Sequence, residues 1–290
     1  KLLLKLVNLM LCPEIFPELS MAERTARRDH LLLSAQPSLS NYTRDLLQSG
    51  YLGTRLSHYP CLLTQDDAMR RSMFACDVSL SGRPGKAAAA LRELTLSFED
   101  IIRHGLVVST ELESGLRQPK VAVVGNSPAI LQSHAGQTID SADLVIRFNT
   151  VSKDPEKFRH TGSRTDIWVM SPSTPLSSCP VDARGIIVSG LNSLTRPSFY
   201  WRTLCSQGKR LSECPATRWH ELVACFKAPP SAGTLLLASL KSMNLDVHCH
   251  GFTRCVSEHE AHTNHHADNR SRSLRHNWEA EARWLVDCFP

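Results

Sequence analysis

Two residues near the end of the chain, His276 and Glu281 in "RHNWEAEARWL", have the side chains of acid–base chemistry. An imidazole titrates near neutral pH and can take the proton of an attacking hydroxyl. A carboxylate beside it can orient the ring or raise its basicity. Residues five apart do not share a helical face, so the pair can meet only if His276 lies at or before the helix N-cap. The stretch "APPSAGTLLLASL", residues 228–240, offers a second chemistry. Its two prolines stop the preceding chain, Ser231 is a good N-cap, and the leucine run reads as a buried helix. Ala232 and Gly233 are small and leave room over that helix N-terminus, where N–H groups and the dipole favour a phosphate. The third chemistry belongs to two asparagines. "VAVVGN" ends at Asn126 and "LVIRFN" at Asn149. An amide both donates and accepts, so it can read a nucleobase edge or a ribose hydroxyl. In "GNSP", Gly125 allows a close approach to the backbone, and Pro128 after Ser127 suits the first turn of a helix. Each pattern alone is also that of a capped helix, an asparagine turn or a surface histidine.

Something must hold these groups together. From residue 120 onward, short β-branched runs alternate with polar or helical stretches: "VAVVG", "DLVIRFN", "DIWVMS", "GIIVSG" and "DVHCHGF". Apolar runs of this length suit strands covered on both faces, as in a parallel sheet. Residues 120–290 therefore read as one α/β domain, Rossmann-like and doubly wound, with a mostly parallel sheet flanked by helices. In such sheets ligands sit beyond the carboxyl ends of the strands, where both asparagines fall. Residues 1–119 read as an N-terminal stem or extension. "SGRPGK" (81–86) reads as a linker, and "AAAALRELTLSFEDIIRHG" (87–105) as a helix ended by Gly105.

Composition narrows the field. The apolar share of 42% is that of a globular protein. A net charge of +5 without a Lys/Arg run fits an anionic small molecule and gives no reason to expect nucleic acid. There is no GxGxxG and no Walker lysine, which disfavours dinucleotide and P-loop sites. Ten cysteines without a CxxC pair, and sequons at Asn41 and Asn269, point toward an oxidising lumen. "KLLLKLVNLML" is too short to span a bilayer. It reads as an amphipathic helix or the end of an anchor.

The three site stretches, taken in chain order, resemble the sialylmotifs of glycosyltransferase family 29, the sialyltransferases. "VAVVGNSPAILQSHAGQTIDSADLVIRFNT" resembles the large motif, with GNS, then Gly136, Gln137, Ile139 and Asp140, then Arg147 and Asn149. "PPSAGTLLLASLKSMNLDVHCHGF" resembles the small motif, with Ala232 in place of a hydroxyl residue and His250 in place of a tyrosine. His276 and Glu281 fit the very small motif, and "GSRTD" (162–166) resembles the stretch that follows the large one. The resemblance covers roughly residues 120–285.

The resemblance implies the sialyltransferase variant of the GT-A type of fold. It implies an inverting, metal-independent transfer of sialic acid from CMP-sialic acid to a glycan hydroxyl on a glycoprotein or glycolipid. No separate cofactor is implied. Asn126, Ser127, Asn149, Ser231, Ala232 and Gly233 would bind the donor, and His276, supported by Glu281, would be the base. The histidine that meets the donor phosphate in the third motif would be His265 in "NHHADN", with His262 and His266 as rivals. The disulfide between the large and small motifs would be missing, because Val121 and Asn244 occupy its two positions. Golgi residence as a type II membrane protein, anchored before Lys1, is the corresponding expectation. Two other donors or states fit the same motifs: another CMP-activated acid sugar such as Kdo, or an inactive relative. From a different class, the seven histidines between His248 and His276, with Cys249 and Cys255, suggest a metal-binding module.

Overall fold

The structure, a computed structural model, describes residues 96–106, 113–171, 174–189, 203–204, 207–252 and 276–289. The chain divides into two compact units, Lys1–Thr95 with Leu191–Gly208, and Leu96–Gly190 with Lys209–Pro290. In the first, the described residues are few, and Gln207 N–H closes a turn on Leu204 O at 3.2 Å. The second holds the sheet and every site residue described below.

Six strands form one sheet: β1 (Lys120–Val124), β2 (Leu144–Phe148), β3 (Ile167–Met170), β4 (Gly185–Val188), β5 (Arg210–Glu213) and β6 (Asp246–His250). Their order is β5-β4-β3-β2-β1-β6, and each neighbouring pair is parallel. Five of these are the strands expected from the apolar runs. The pattern misses β5, whose "RLSE" reads as polar although Leu211 and Ser212 are buried. The chain builds β1 to β5 outward in one direction and then returns to place β6 on the other side of β1. Strand order therefore reverses at β1, the position where doubly wound sheets open a ligand crevice.

Helices cover both faces, as the continuous apolar runs require. On one face Ala122, Val124 and Val145 pack with Ile130 and Ile139, which belong to the 3₁₀ turn Pro128–Gln132 and to α2 (Gly136–Asp140). On the other, Leu144 and Ile167 crowd Gly105 of α1 (Phe98–Gly105), and Ile101 of the same helix lies on Gly185. Leu144 and Val145 are consecutive, so their opposite faces follow from strand alternation. The expected helix over 87–105 does end at Gly105. Its described part starts only at Phe98, because Ser97 caps it by accepting Asp100 N–H at 3.0 Å. Leu96 lies before the helix, and its N–H pairs with Leu211 O at 2.8 Å. The S-x-x-D capping signal thus marks the start of this helix at Phe98.

Further helices among the described residues are α3 (Pro155–Thr161), α4 (Ala216–Phe226) and α5 (Ala232–Leu240). The last element, α6 (Trp278–Cys288), carries the acid–base pair at its start. No helix among the described residues is long and apolar enough to cross a membrane.

Candidate active site

The carboxyl ends of β1 and β6 are stitched backbone to backbone. Gly125 N–H donates to His250 O at 2.7 Å, and Ser127 N–H to Gly251 O at 3.0 Å. A Cβ on Gly125 would stand 2.5 Å from Gly251 O, and one on Gly251 2.7 Å from Gly125 O. Gly251 also has φ 68°, which glycine adopts without strain. The backbone that comes close at Gly125 is that of Gly251. Ser127 is buried, and its hydroxyl caps the 3₁₀ turn whose first residue is Pro128.

The two asparagines meet at adjacent strand ends. Asn126 Nδ2 donates to Phe148 O at 3.2 Å and to Thr150 O at 3.4 Å, the carbonyls on either side of Asn149. Asn149 has φ 49°. Its Oδ1 accepts Ser171 N–H at 2.8 Å and the Thr174 hydroxyl at 2.7 Å. These partners fix which end of each amide is oxygen. What remains is an acceptor on Asn126 and the NH₂ of Asn149.

The N-terminus of α5 is held by α6. Ser231 Oγ accepts Thr234 N–H at 3.2 Å, the expected N-cap. Glu281, only 2% exposed, accepts Ser231 N–H on Oε1 at 2.8 Å and the Thr234 hydroxyl on Oε2 at 2.5 Å. His276 lies just before Asn277, the N-cap of α6. Its Nδ1 is 2.7 Å from Pro229 O. A carbonyl can only accept, so Nδ1 carries the proton and Nε2 is the basic nitrogen of the neutral ring. His276 thus stands before the N-cap, as contact with Glu281 would require, but the two carry separate hydrogen bonds to one loop. The Glu281 carboxylate takes up part of the helix N-terminus expected to face an anion. The N–H groups of Ala232 and Gly233 have no partner among the described residues and remain for one.

Phe252 joins these pieces. Its ring stands 2.7 Å from where a Cβ on Gly233 would be and 3.3 Å from one on Gly125. It also packs edge-on against Phe148, with ring centroids 6.0 Å apart. One aromatic ring therefore touches the turn before Asn126, the strand end before Asn149 and the first turn of α5. A Cβ on Gly233 would meet this ring, which is why a side chain is missing there. Phe252 was visible as the last letter of "HGF", but nothing in its spacing signals a hub. Pro229, Thr234 and Thr174 were missed because they act through a carbonyl or a single hydroxyl.

The remaining large-motif residues build the scaffold. Asp140 accepts Ser163 N–H at 2.9 Å and Arg164 N–H at 3.0 Å, which clasps "GSRTD" onto α2. Arg147 is 4% exposed and donates to Thr161 O at 2.5 Å and Arg164 O at 2.8 Å; burial pulls its pKa down to about 10. Burial, followed by the charges of His248 and Arg147, holds His250 below the usual imidazole value. Gln118 Nε2 donates to Asn244 Oδ1 at 2.6 Å, between the two segments that the family would join by a disulfide. Among the described cysteines, 179, 214, 225 and 288 are free thiols. His262, His265 and His266, the sequons and "KLLLKLVNLML" lie outside the described residues. Among the described residues no group of three or more His, Cys, Asp and Glu is placed to hold a metal.

Residues 87–201 match the family model "Glycosyltransferase family 29 (sialyltransferase)". The match includes the large motif and ends before Pro229 and His276. Two relatives named "Sialyltransferase-like protein 3", from Oryza sativa subsp. indica and subsp. japonica, are each 39% identical over 70 residues. Those residues are 24% of this chain and 18% of each relative, so the match spans under a fifth of the relatives' length. A solved mammalian sialyltransferase is 16% identical, with a TM-score of 0.46 over 76% of this chain and 82% of that one. A mammalian sialyltransferase in complex with Gal-beta-1-3GalNAc-ortho-nitrophenol is 16% identical, with a TM-score of 0.44 over 76% and 83%.

Proposed function

From a chain whose residues 87–201 match the model of glycosyltransferase family 29, the sialyltransferases, we propose that it is a member and carries out an inverting transfer of sialic acid from CMP-sialic acid to a glycan hydroxyl. The observation that carries this reading is the Phe252 hub, which gathers Asn126, Asn149 and the N-terminus of α5 at the strand-order reversal. Asn126 and Asn149 hold the cytidine part of the donor with one acceptor and one NH₂ group. The N–H groups of Ala232 and Gly233 face the phosphate, with Ser231 capping the turn behind them. They stabilise charge that grows on the phosphate as CMP leaves, a preorganised electrostatic contribution.

His276 Nε2 takes the proton of the acceptor hydroxyl as its oxygen attacks the anomeric carbon and the bond to CMP breaks. Pro229 O keeps the proton on Nδ1, which makes Nε2 the basic nitrogen of the neutral ring. Glu281 acts at one remove, by fixing the loop that carries Pro229 and Ser231. His265 is assigned to the leaving phosphate by its place in "NHHADN". The phosphate is held by protein donors and no divalent metal is required. The work belongs in the Golgi lumen, which co-localisation of the tagged full-length protein with a Golgi marker tests.

The functional test is calorimetric titration with CMP, with and without EDTA, followed by transfer assays with CMP-sialic acid and CMP-Kdo on a glycan panel. Binding unchanged by EDTA and transfer from CMP-sialic acid are expected. No binding at millimolar CMP, or transfer only from CMP-Kdo, overturns the reading.

A further inference from the structure

Asn149 is held from several sides. Trp168, fully buried, donates Nε1–H to Asn149 O at 2.6 Å, and Asn149 N–H donates to Val169 O at 2.9 Å. These bonds keep the left-handed backbone at φ 49°. The side chain is fixed separately. Its Oδ1 accepts Ser171 N–H at 2.8 Å and Thr174 Oγ1–H at 2.7 Å. Thr174 is 3% exposed, and its Oγ1 lies 2.9 Å from Ser171 Oγ. The Thr174 proton is spent on Asn149, so the Ser171 hydroxyl donates in that second contact.

An amide oxygen has two lone pairs, and two donors fill them. Turning the amide over would set its NH₂ against the Ser171 N–H, which can only donate, and would lose that bond. We propose that Thr174 is a positioning residue: with Ser171 N–H it makes Asn149 a donor-only amide, so that this position reads a hydrogen-bond acceptor on the ligand. Asn126 has the opposite polarity, because Phe148 O and Thr150 O consume its NH₂ and leave its oxygen. A ligand that fits both must offer a donor at Asn126 and an acceptor oxygen or nitrogen at Asn149. Cytidine monophosphate offers both kinds of group, through its amino and hydroxyl donors and its ring and phosphate acceptors. The ligand assignment rests on the reading of this site as the CMP pocket; the fixed amide does not.

The test compares Thr174→Val, which removes the donor at nearly constant shape, with Thr174→Ser, which keeps it. Two readouts are used. The first is the NMR signal of the Asn149 carboxamide, assigned by its loss in Asn149→Asp. The second is CMP affinity by calorimetry, with KM and kcat for the donor. Thr174→Val should shift or broaden the Asn149 signal, weaken CMP roughly tenfold and raise KM with kcat nearly unchanged. Thr174→Ser should restore all of these. Wild-type CMP affinity in Thr174→Val, or an Asn149 signal identical to wild type, overturns the proposal. If wild type binds no CMP, the functional reading fails on its own, and the carboxamide signal still decides whether Thr174 fixes the amide.

Discussion

The Glu281 carboxylate accepts the backbone N–H of Ser231 at 2.8 Å across fifty positions of sequence. Three further bonds lie beside it. Glu281 takes the Thr234 hydroxyl at 2.5 Å, His276 Nδ1 meets Pro229 O at 2.7 Å, and Asn277 Nδ2 reaches Phe226 O at 3.0 Å. Two short sequence patterns, each weak alone, thus become one clasp. The carboxylate also suits its place, because a negative charge at a helix N-terminus is favourable.

The clasp predicts the cost of losing Glu281. Glu281→Ala leaves a half-buried N–H and a buried hydroxyl without this acceptor, at about 1–3 kcal/mol. Glu281→Gln should fall between alanine and wild type, because the amide oxygen can still accept Ser231 N–H. Urea unfolding measures both. A midpoint for Glu281→Ala equal to wild type would show that the clasp contributes nothing.

His276→Ala separates chemistry from folding. The side chain is only partly buried and its bond to Pro229 is one ordinary hydrogen bond, so the variant should fold. Transfer should fall by roughly 10²–10⁴ in kcat, the usual contribution of a general base. CMP affinity should stay near wild type, because the imidazole acts on the acceptor. Undiminished transfer would remove His276 from the mechanism.

How much of this was legible follows from how each residue acts. Ser231 as a cap and Pro128 in a first turn depend on local backbone geometry, and sequence carries local geometry well. The strands were legible where burial made them continuously apolar. β5 was hidden because "RLSE" is half polar. Gly125 shows the limit most clearly. A glycine after a strand signals that something comes close, but only the fold reveals that Gly251, 126 positions later, is what comes close. Thr174 left no signal, since a threonine that holds an asparagine looks like any other threonine. The opposite polarity of Asn126 and Asn149 is likewise set by neighbours in space.

Asp143 predicts a pH dependence. The Arg117 hydrogen bonds hold its carboxyl below the ordinary 3.8, burial opposes them, and Lys120 N–H adds to the lowering. A lowered folded value means that the ionised form is favoured by folding. Its contribution is fully present above pH 3.8 and is lost as pH falls through the lower folded value. The stability gap between wild type and Asp143→Asn should therefore be constant near neutrality and shrink in acid below that point. Urea titrations between neutral pH and pH 3 measure it, and a gap independent of pH would show that the Arg117 pair does not act through charge.

The paired glycines give the last prediction. Gly125→Ala places a methyl 2.5 Å from Gly251 O, and Gly251→Ala places one 2.7 Å from Gly125 O. Both obstacles are backbone, so neither can be relieved by a rotamer change, and Gly251→Ala also pays for φ 68°. Each should cost about 1–3 kcal/mol by forcing β1 and β6 apart where they end. The same displacement would lengthen the Gly125 N–H to His250 O bond of 2.7 Å and move Asn126 away from Thr150 O. The Gly125 amide should then exchange hydrogen faster, and CMP affinity should fall with stability. One displacement relieves both clashes, so the double variant should cost less than the two single costs added. Strict additivity in urea, with unchanged exchange at Gly125, would show that the two glycines do not share a contact.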